Sequence, residues 1–200
     1  MGSDYVVEAR SQLATRIKPG LYGAGEAPQV TFSEVRRRRI VQAAGWPNTF
    51  EAVARRLAEA AGGTVPHKFG MAAVADTVTA VWVGADRLWF TADDPTLMTR
   101  FAGTFTDEEV VFLDISDSRT ILRIKGTRSR SVLAKGFAID LHPDVFAVQA
   151  IAHTMVENTG VLLHRVGPEA FEIYVPRSYA VNIWHWLTAS AIEFGYEVED

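Results

Sequence analysis

The chain contains no cysteine. Disulfides, thiolate metal sites and cysteine nucleophiles are thereby excluded, and nothing in the composition asks for an oxidising compartment. It has no basic excess either: the formal net charge is −4 and the isoelectric point is about 5.7. A general nucleic-acid binder carries the opposite electrostatic footprint. No run approaches the roughly 18 apolar residues needed to span a bilayer. The start, Met1-Gly-Ser-Asp-Tyr-Val-Val-Glu8, has an early acid and no long apolar core, unlike a secretory signal. These absences predict a soluble cytoplasmic protein with neither nucleic acid nor membrane as partner.

Signatures of chemistry are also missing. The five histidines, His67, His142, His153, His164 and His185, form no metal-binding pattern such as two histidines four apart beside a glutamate. Gly23-Ala24-Gly25 lacks the preceding strand, third glycine and following helix of a dinucleotide fingerprint. No serine lies in a Gly-X-Ser-X-Gly elbow. Asp114-Ile-Ser-Asp117-Ser-Arg119 places carboxylate, hydroxyl and guanidinium groups close together, but Asp and Ser in such a stretch ordinarily bond local backbone in a turn. Arg36-Arg37-Arg38-Arg39 is the one basic run, and in an acidic chain it reads as a solvated edge or an inter-subunit ion-pair site. No catalytic, cofactor-binding or metal-ligating residue is therefore assigned.

What is present is a core. Of 200 residues, 48% are hydrophobic and 22% charged, enough for one compact domain or two small fused halves. Residues 1–29, punctuated by Pro19, Gly20, Gly23, Gly25 and Pro28, read as an extended arm. Its Tyr5, Val6, Val7, Leu13, Ile17, Leu21 and Tyr22 are apolar for a free tail, which favours an arm docked on a partner. Residues 30–200 read as a single domain of two repeats, about 36–113 and 114–195. Ile40-Val-Gln-Ala-Ala-Gly45 matches Ile121-Leu-Arg-Ile-Lys-Gly126, and Val83-Gly84 followed by Leu88-Trp-Phe90 matches Val166-Gly167 followed by Phe171-Glu-Ile173. Each first run is a short strand closed by glycine, and each Val-Gly closes a strand before a hairpin.

Helices are expected at about 48–61, 95–103, 128–135 and 178–194. The first has Phe50, Val53, Leu57 and Ala61 on one stripe, with Asn48 available as cap and Gly62-Gly63 as stop. The last carries Ile183, Leu187, Ala191 and Phe194 on one stripe, and Val181, Trp184, Thr188 and Ile192 on a second. So wide an apolar arc means burial on more than one side, against a thick core or against another subunit; the N-terminal arm and the face around Trp184 and Trp186 are the candidate docking surfaces. The unit strand, helix, two or more strands, helix, present twice, predicts an internally duplicated α+β fold with a largely antiparallel sheet and packed helices.

Several blocks, in order, carry a resemblance. They are Asp114-Ile-Ser-Asp-Ser-Arg-Thr-Ile-Leu-Arg-Ile-Lys-Gly126, Val132-Leu-Ala-Lys-Gly136, Asp140-Leu-His-Pro143, Leu162-Leu-His-Arg-Val-Gly167, Phe171-Glu-Ile-Tyr-Val-Pro-Arg-Ser-Tyr-Ala180 and the Trp184-X-Trp186 helix. Together they resemble the sarcosine oxidase gamma subunit family; Val41-Gln-Ala-Ala-Gly-Trp-Pro-Asn-Thr49 fits it more loosely. That family is similar to the folate-binding domain of glycine-cleavage aminomethyltransferases, a duplicated α+β fold.

The resemblance implies a non-catalytic structural gamma subunit of a heterotetramer that oxidatively demethylates sarcosine to glycine and passes the one-carbon unit to tetrahydrofolate. It implies alpha, beta and delta partner subunits, with FAD, FMN, NAD, tetrahydrofolate and zinc held on those other chains. It leaves open the same role in a related N-methyl amino-acid dehydrogenase, such as one acting on N-methylglutamate. A free-standing folate-binding aminomethyltransferase-like protein is a further reading. Against that one, the folate enzymes have an aspartate pair before the strand at Val161-Leu-Leu-His-Arg-Val-Gly167, where this chain has Thr159 and Gly160. Neither residue exchanges a proton near neutral pH.

Overall fold

The structure, a computed structural model, describes residues 10–25, 27–36, 39–75 and 77–200. Its strands are β1 (Gly20–Tyr22), β2 (Val30–Glu34), β3 (Arg39–Gly45), β4 (Ala72–Ala75), β5 (Val78–Gly84), β6 (Arg87–Ala92), β7 (Val110–Asp114), β8 (Arg119–Lys125), β9 (Ile151–Val156), β10 (Thr159–Gly167), β11 (Ala170–Pro176) and β12 (Tyr196–Val198). Its helices are α1 (Phe50–Ala60), α2 (Leu97–Ala102), α3 (Ser129–Leu133) and α4 (Ala180–Ala191), the last flanked by 3-10 turns at Arg177–Tyr179 and Ile192–Phe194. All four expected helices form, each within a few residues of the predicted bounds.

The strands make two sheets. One has the order β4-β5-β6-β3-β7, the other β1-β12-β2-β8-β11-β10-β9. Every pairing is antiparallel except the one between β12 and β2. From β3 to β7 and from β8 to β12 the order of elements is the same: strand, helix, three strands, helix, strand. The Val-Gly motif has a shared geometric meaning. In both halves the hairpin register shifts there, between Trp82 and Gly84 and between Arg165 and Gly167, as a β-bulge does when it turns a strand.

Alternation of side chains along each strand sets the layers. Val41, Ala43, Leu88 and Phe90 face α1 and α2, whose Phe50, Val53, Leu57, Leu97 and Phe101 complete one core. Leu122, Ile124, Phe171, Ile173 and Leu163 face α3 and α4 in a second. The opposite strand faces meet, burying Ile40, Val81, Trp89, Ile121, Leu162 and Tyr174 between the sheets. The layers therefore run helix, sheet, sheet, helix, each sheet buried on both sides at its centre.

Local chemistry explains the ends of elements. Helix α1 stops in a Schellman motif: Gly62 has φ +77°, its N–H donates to the Glu59 carbonyl, and Gly63 N–H donates to Ala58 at 2.7 Å. Its start differs from expectation. Thr49, not Asn48, is the N-cap, and no side chain caps it; the Thr49 and Phe50 N–H groups bond the Trp46 carbonyl instead. Gly126, at the end of β8, has φ +118°, and a Cβ there would lie 2.3 Å from the Gln29 carbonyl oxygen.

The N-terminal segment departs from an arm docked on a partner. Leu13 and Ile17 are buried in the core beneath the seven-stranded sheet, and β1 pairs with β12. Tyr22 stacks on Tyr196 at 5.2 Å. Leu13 and Ile17 thus cover the chain's own sheet, which β2, β12 and β1 extend past β8, while Leu21 stays exposed. Tyr5, Val6 and Val7 lie outside the described residues.

Candidate functional site

The polar features of the chain gather where the two sheets meet. Arg123 on β8 and Glu172 on β11 stand opposite each other in register and form an ion pair, with Glu172 buried and Arg123 partly exposed. Tyr174, also buried, donates its hydroxyl to Glu172 Oε2 at 3.2 Å. His164, nearly fully buried on β10, is hydrogen-bonded through Nε2 to Gln149 Oε1 at 2.8 Å. His153 on β9 approaches the Val83 carbonyl oxygen at 3.1 Å through Nε2, so that nitrogen carries the proton. This bond ties the edge of one sheet to a strand of the other.

Trp89 on β6 sits at the centre of this seam. Its indole N–H donates to Gln42 Oε1 at 3.0 Å. Its ring meets Tyr174 at 6.2 Å and the edge of His153 at 6.5 Å. The Arg119 guanidinium lies over the ring, 5.3 Å from its centroid. Arg119 separates two cavities. One, of about 370 Å³, is lined by Trp89, His153, Met155, Gly160 and Leu162. The other, of about 640 Å³, opens between residues near Arg10, Glu34, Arg39, Ser116 and Arg177. Burial pushes the Arg119 pKa down from its ordinary value.

The sequence candidates take these places. Asp114 and Ser116 make a local turn: the Ser116 N–H donates to Asp114 Oδ1 at 2.9 Å, Ser116 Oγ accepts from the Ile40 N–H at 2.9 Å, and Arg39 pairs with Asp114 at 3.3 Å. Asp117 turns outward to Arg177 at 3.4 Å. Arg36 pairs with Glu34 at 3.3 Å and Asp200 at 3.0 Å, so the described ends of the basic run are held within the chain; Arg37 and Arg38 lie outside the described residues. Among the described residues, no three His, Asp or Glu side chains cluster as a metal site. His142 faces Asp144 in a loop, and His67 and His185 are exposed. Arg165, almost fully buried, donates to the carbonyls of Phe146, Pro168 and Gly167 at 2.6, 2.9 and 3.2 Å, which pins the loop before β9.

One expectation needs correction, and one pair of alternatives is decided. Thr159 and Gly160 do not precede the strand; they are its first two residues, Thr159 opposite Val156 and Gly160 opposite Met155. The turn before them is only two residues long, Glu157 and Asn158, both left-handed at φ +47° and +60°, which brings β10 into register at once. The wide apolar arc of α4 is also largely satisfied internally. Trp184 is buried edge-on against Phe32 at 5.8 Å, and Trp186 packs on Phe137 at 5.9 Å, over Gly136. Ile192 remains about half exposed. The feature that escaped sequence reasoning is the Trp89–Arg119–His153 group, whose members lie on three strands of two sheets.

Comparison with known proteins fits this architecture. Residues 70–198 match the family described as the GCVT N-terminal domain. The sarcosine oxidase gamma subunit of Corynebacterium sp. strain P-1 is 34% identical over 143 residues, 70% of each chain. That of strain U-96 is 34% identical over 140 residues, 69% of this chain and 68% of the other. Among solved structures, the heterotetrameric sarcosine oxidase of Corynebacterium sp. U-96, in complex with pyrrole 2-carboxylate, contains a chain that superposes with a TM-score of 0.78 at 30% identity, covering 86% of this chain and 88% of that one. The glycine cleavage system aminomethyltransferase T of Bartonella henselae superposes at 0.60 with 15% identity, over 86% of this chain and 48% of its own, a likeness of fold. With its duplicated sheets and a third of residues shared along most of both chains, the chain belongs to the sarcosine oxidase gamma subunit family, built on the GCVT N-terminal-domain fold.

Proposed function

We propose that this chain is a non-catalytic structural subunit of a heterotetrameric sarcosine-oxidase-type complex, cytoplasmic, in which other subunits hold the flavin, nicotinamide, folate and zinc groups. The observation that carries the reading is the likeness to sarcosine oxidase gamma subunits along 70% of both chains, supported by superposition on a chain of the assembled enzyme. The residues at the start of β10 support the word non-catalytic. Thr159 is buried with its hydroxyl turned to the Glu157 carbonyl, and Gly160 has no side chain. Neither fits the acid that folate-dependent aminomethyltransferases use at this position, so no folate step is assigned to this chain.

Buried ionisable groups support the same reading. Glu172 is engaged by Arg123 and Tyr174, and Arg165 by four carbonyls. Groups used in this way hold sheets and loops in place. Residues 10–200 read as one domain of two repeats with the N-terminal segment laid across the second.

Co-purification from the native host tests the proposal. The chain is expected to elute with larger subunits in a fraction that shows flavin absorbance and oxidises sarcosine or N-methylglutamate, while the chain alone shows neither flavin nor activity. A folded chain that elutes alone, with no affinity for flavoprotein subunits, overturns the assignment.

A further inference from the structure

Arg119 has no counter-ion among the described residues. Of the arginines around the larger cavity, Arg36 pairs with Glu34 and Asp200, Arg39 with Asp114, and Arg177 with Asp117 and the Arg10 carbonyl. Arg119 makes no hydrogen bond or ion pair among the described residues, and its Nε is buried without a partner. A guanidinium stays charged in a protein, and desolvation opposes the partial burial of Arg119. The group lies at the junction of two cavities, between strands of different sheets.

The Arg119 guanidinium carbon lies 5.3 Å from the Trp89 ring centroid, and Trp89 is itself held by the Gln42 bond and by the Tyr174 and His153 rings. The N–H groups of a guanidinium lie in a planar fork. A fork of this kind matches the two oxygens of a carboxylate. The larger cavity, about 640 Å³, falls in the size range of small-molecule sites. Five arginines and three acids line it, and two further acids, Asp200 and Asp114, pair with the lining Arg36 and Arg39. The three acids, Glu34, Asp93 and Asp117, disfavour a multiply charged phosphate and tolerate a ligand with one carboxylate at the fork.

We propose that Arg119, lying over Trp89, anchors a small organic carboxylate in the cleft between the two sheets. This is a binding role and asks for no chemistry of the chain, so it stands apart from the subunit assignment: it is tested on the isolated full-length chain, whereas that assignment is tested by assembly. Acetate, benzoate and inorganic phosphate are titrated separately at constant ionic strength, with sodium chloride as control. The readouts are the Arg119 side-chain Nε–H resonance, assigned by its loss in R119Q, and calorimetry.

Saturable acetate or benzoate binding that weakens at least tenfold in R119Q, and that sodium chloride does not reproduce, is the expected result. R56Q, whose wild-type partner Glu109 lies away from both cavities, is expected to bind within threefold of wild type. If R119Q fails to fold, R119K decides, since it keeps the charge and loses the fork: weakening of threefold or more supports the site, and unchanged affinity overturns it. No saturable response to either carboxylate, equal affinity in R119Q, or saturation by phosphate alone also overturns it.

Discussion

Arg123 stands directly opposite Glu172 across the β8–β11 pair and closes an ion pair on a carboxylate that is almost wholly removed from water. Tyr174 supplies a second donor to the same group. Replacing the cation alone leaves a buried carboxylate with one neutral partner, and breaking buried pairs in this way costs on the order of 3–5 kcal/mol. R123M is therefore expected to lower the unfolding free energy by about 3 kcal/mol in urea titration, given the partial exposure of the Arg123 side chain. The double variant R123M/E172M is expected to recover part of the loss, because no charge then remains buried. A double variant as unstable as the sum of both singles contradicts the pairing.

Leu13 separates two views of the N-terminal segment. It is fully buried in the core beneath the seven-stranded sheet, in the company of Phe32, Trp184 and Tyr196. Truncation of a buried leucine to alanine costs about 2–5 kcal/mol. L13A is expected to lower the stability of the isolated chain by about 3 kcal/mol, read by chemical denaturation. An isolated L13A chain as stable as wild type would place Leu13 on a partner surface instead.

Much of the fold is legible in the residues because its signals are local. The helical stripe of Phe50, Val53 and Leu57 names a helix within one window, and Gly62-Gly63 ends it by the Schellman bonds that only such a pair makes easily. The repeated Val-Gly marks the same bulge in both halves. The polar turn expected at Asp114 and Ser116 forms locally, but where Arg119 goes is not local: it turns to Trp89, thirty residues earlier and on the other sheet, while Asp117 turns to Arg177. Which strands lie face to face follows from sheet packing, and no periodicity within a strand encodes it. The same holds for β2, which leaves the first half and inserts between β8 and β12.

Gly126 is constrained twice. Its φ of +118° lies where L residues are strained, and its Cα faces the Gln29 carbonyl so closely that an added Cβ would stand 2.3 Å from the oxygen. Because the obstacle is backbone, relief requires β8 to part from the segment before β2. G126A is expected to cost about 2 kcal/mol or more, summing backbone strain of about 1–3 kcal/mol with displaced strand packing. G160A is the control, with open space around its Cβ position, and is expected to change stability by no more than about 0.5 kcal/mol. A G126A thermal midpoint equal to that of G160A contradicts this account.

Asp114 sets a pH dependence. Burial pushes its carboxyl upward, but the hydrogen bonds from the Ser116 hydroxyl and N–H, with the Arg39 charge, outweigh that and hold it below its ordinary value of 3.8. Folded Asp114 thus binds a proton less readily than unfolded Asp114, so its charge stabilises the fold above 3.8 and ceases to do so as pH falls through the lower folded value. D114N keeps an acceptor for Ser116 and removes the charge. At pH 7 the wild type is expected to exceed D114N by on the order of 0.5 kcal/mol, the scale of a partly exposed pair. Urea midpoints measured from pH 7 to pH 2 are expected to show this gap constant down to about the ordinary carboxylate value and closing below it. A gap that persists unchanged at the acid end would mean that the amide's altered hydrogen bonding, and not the lost charge, accounts for the difference.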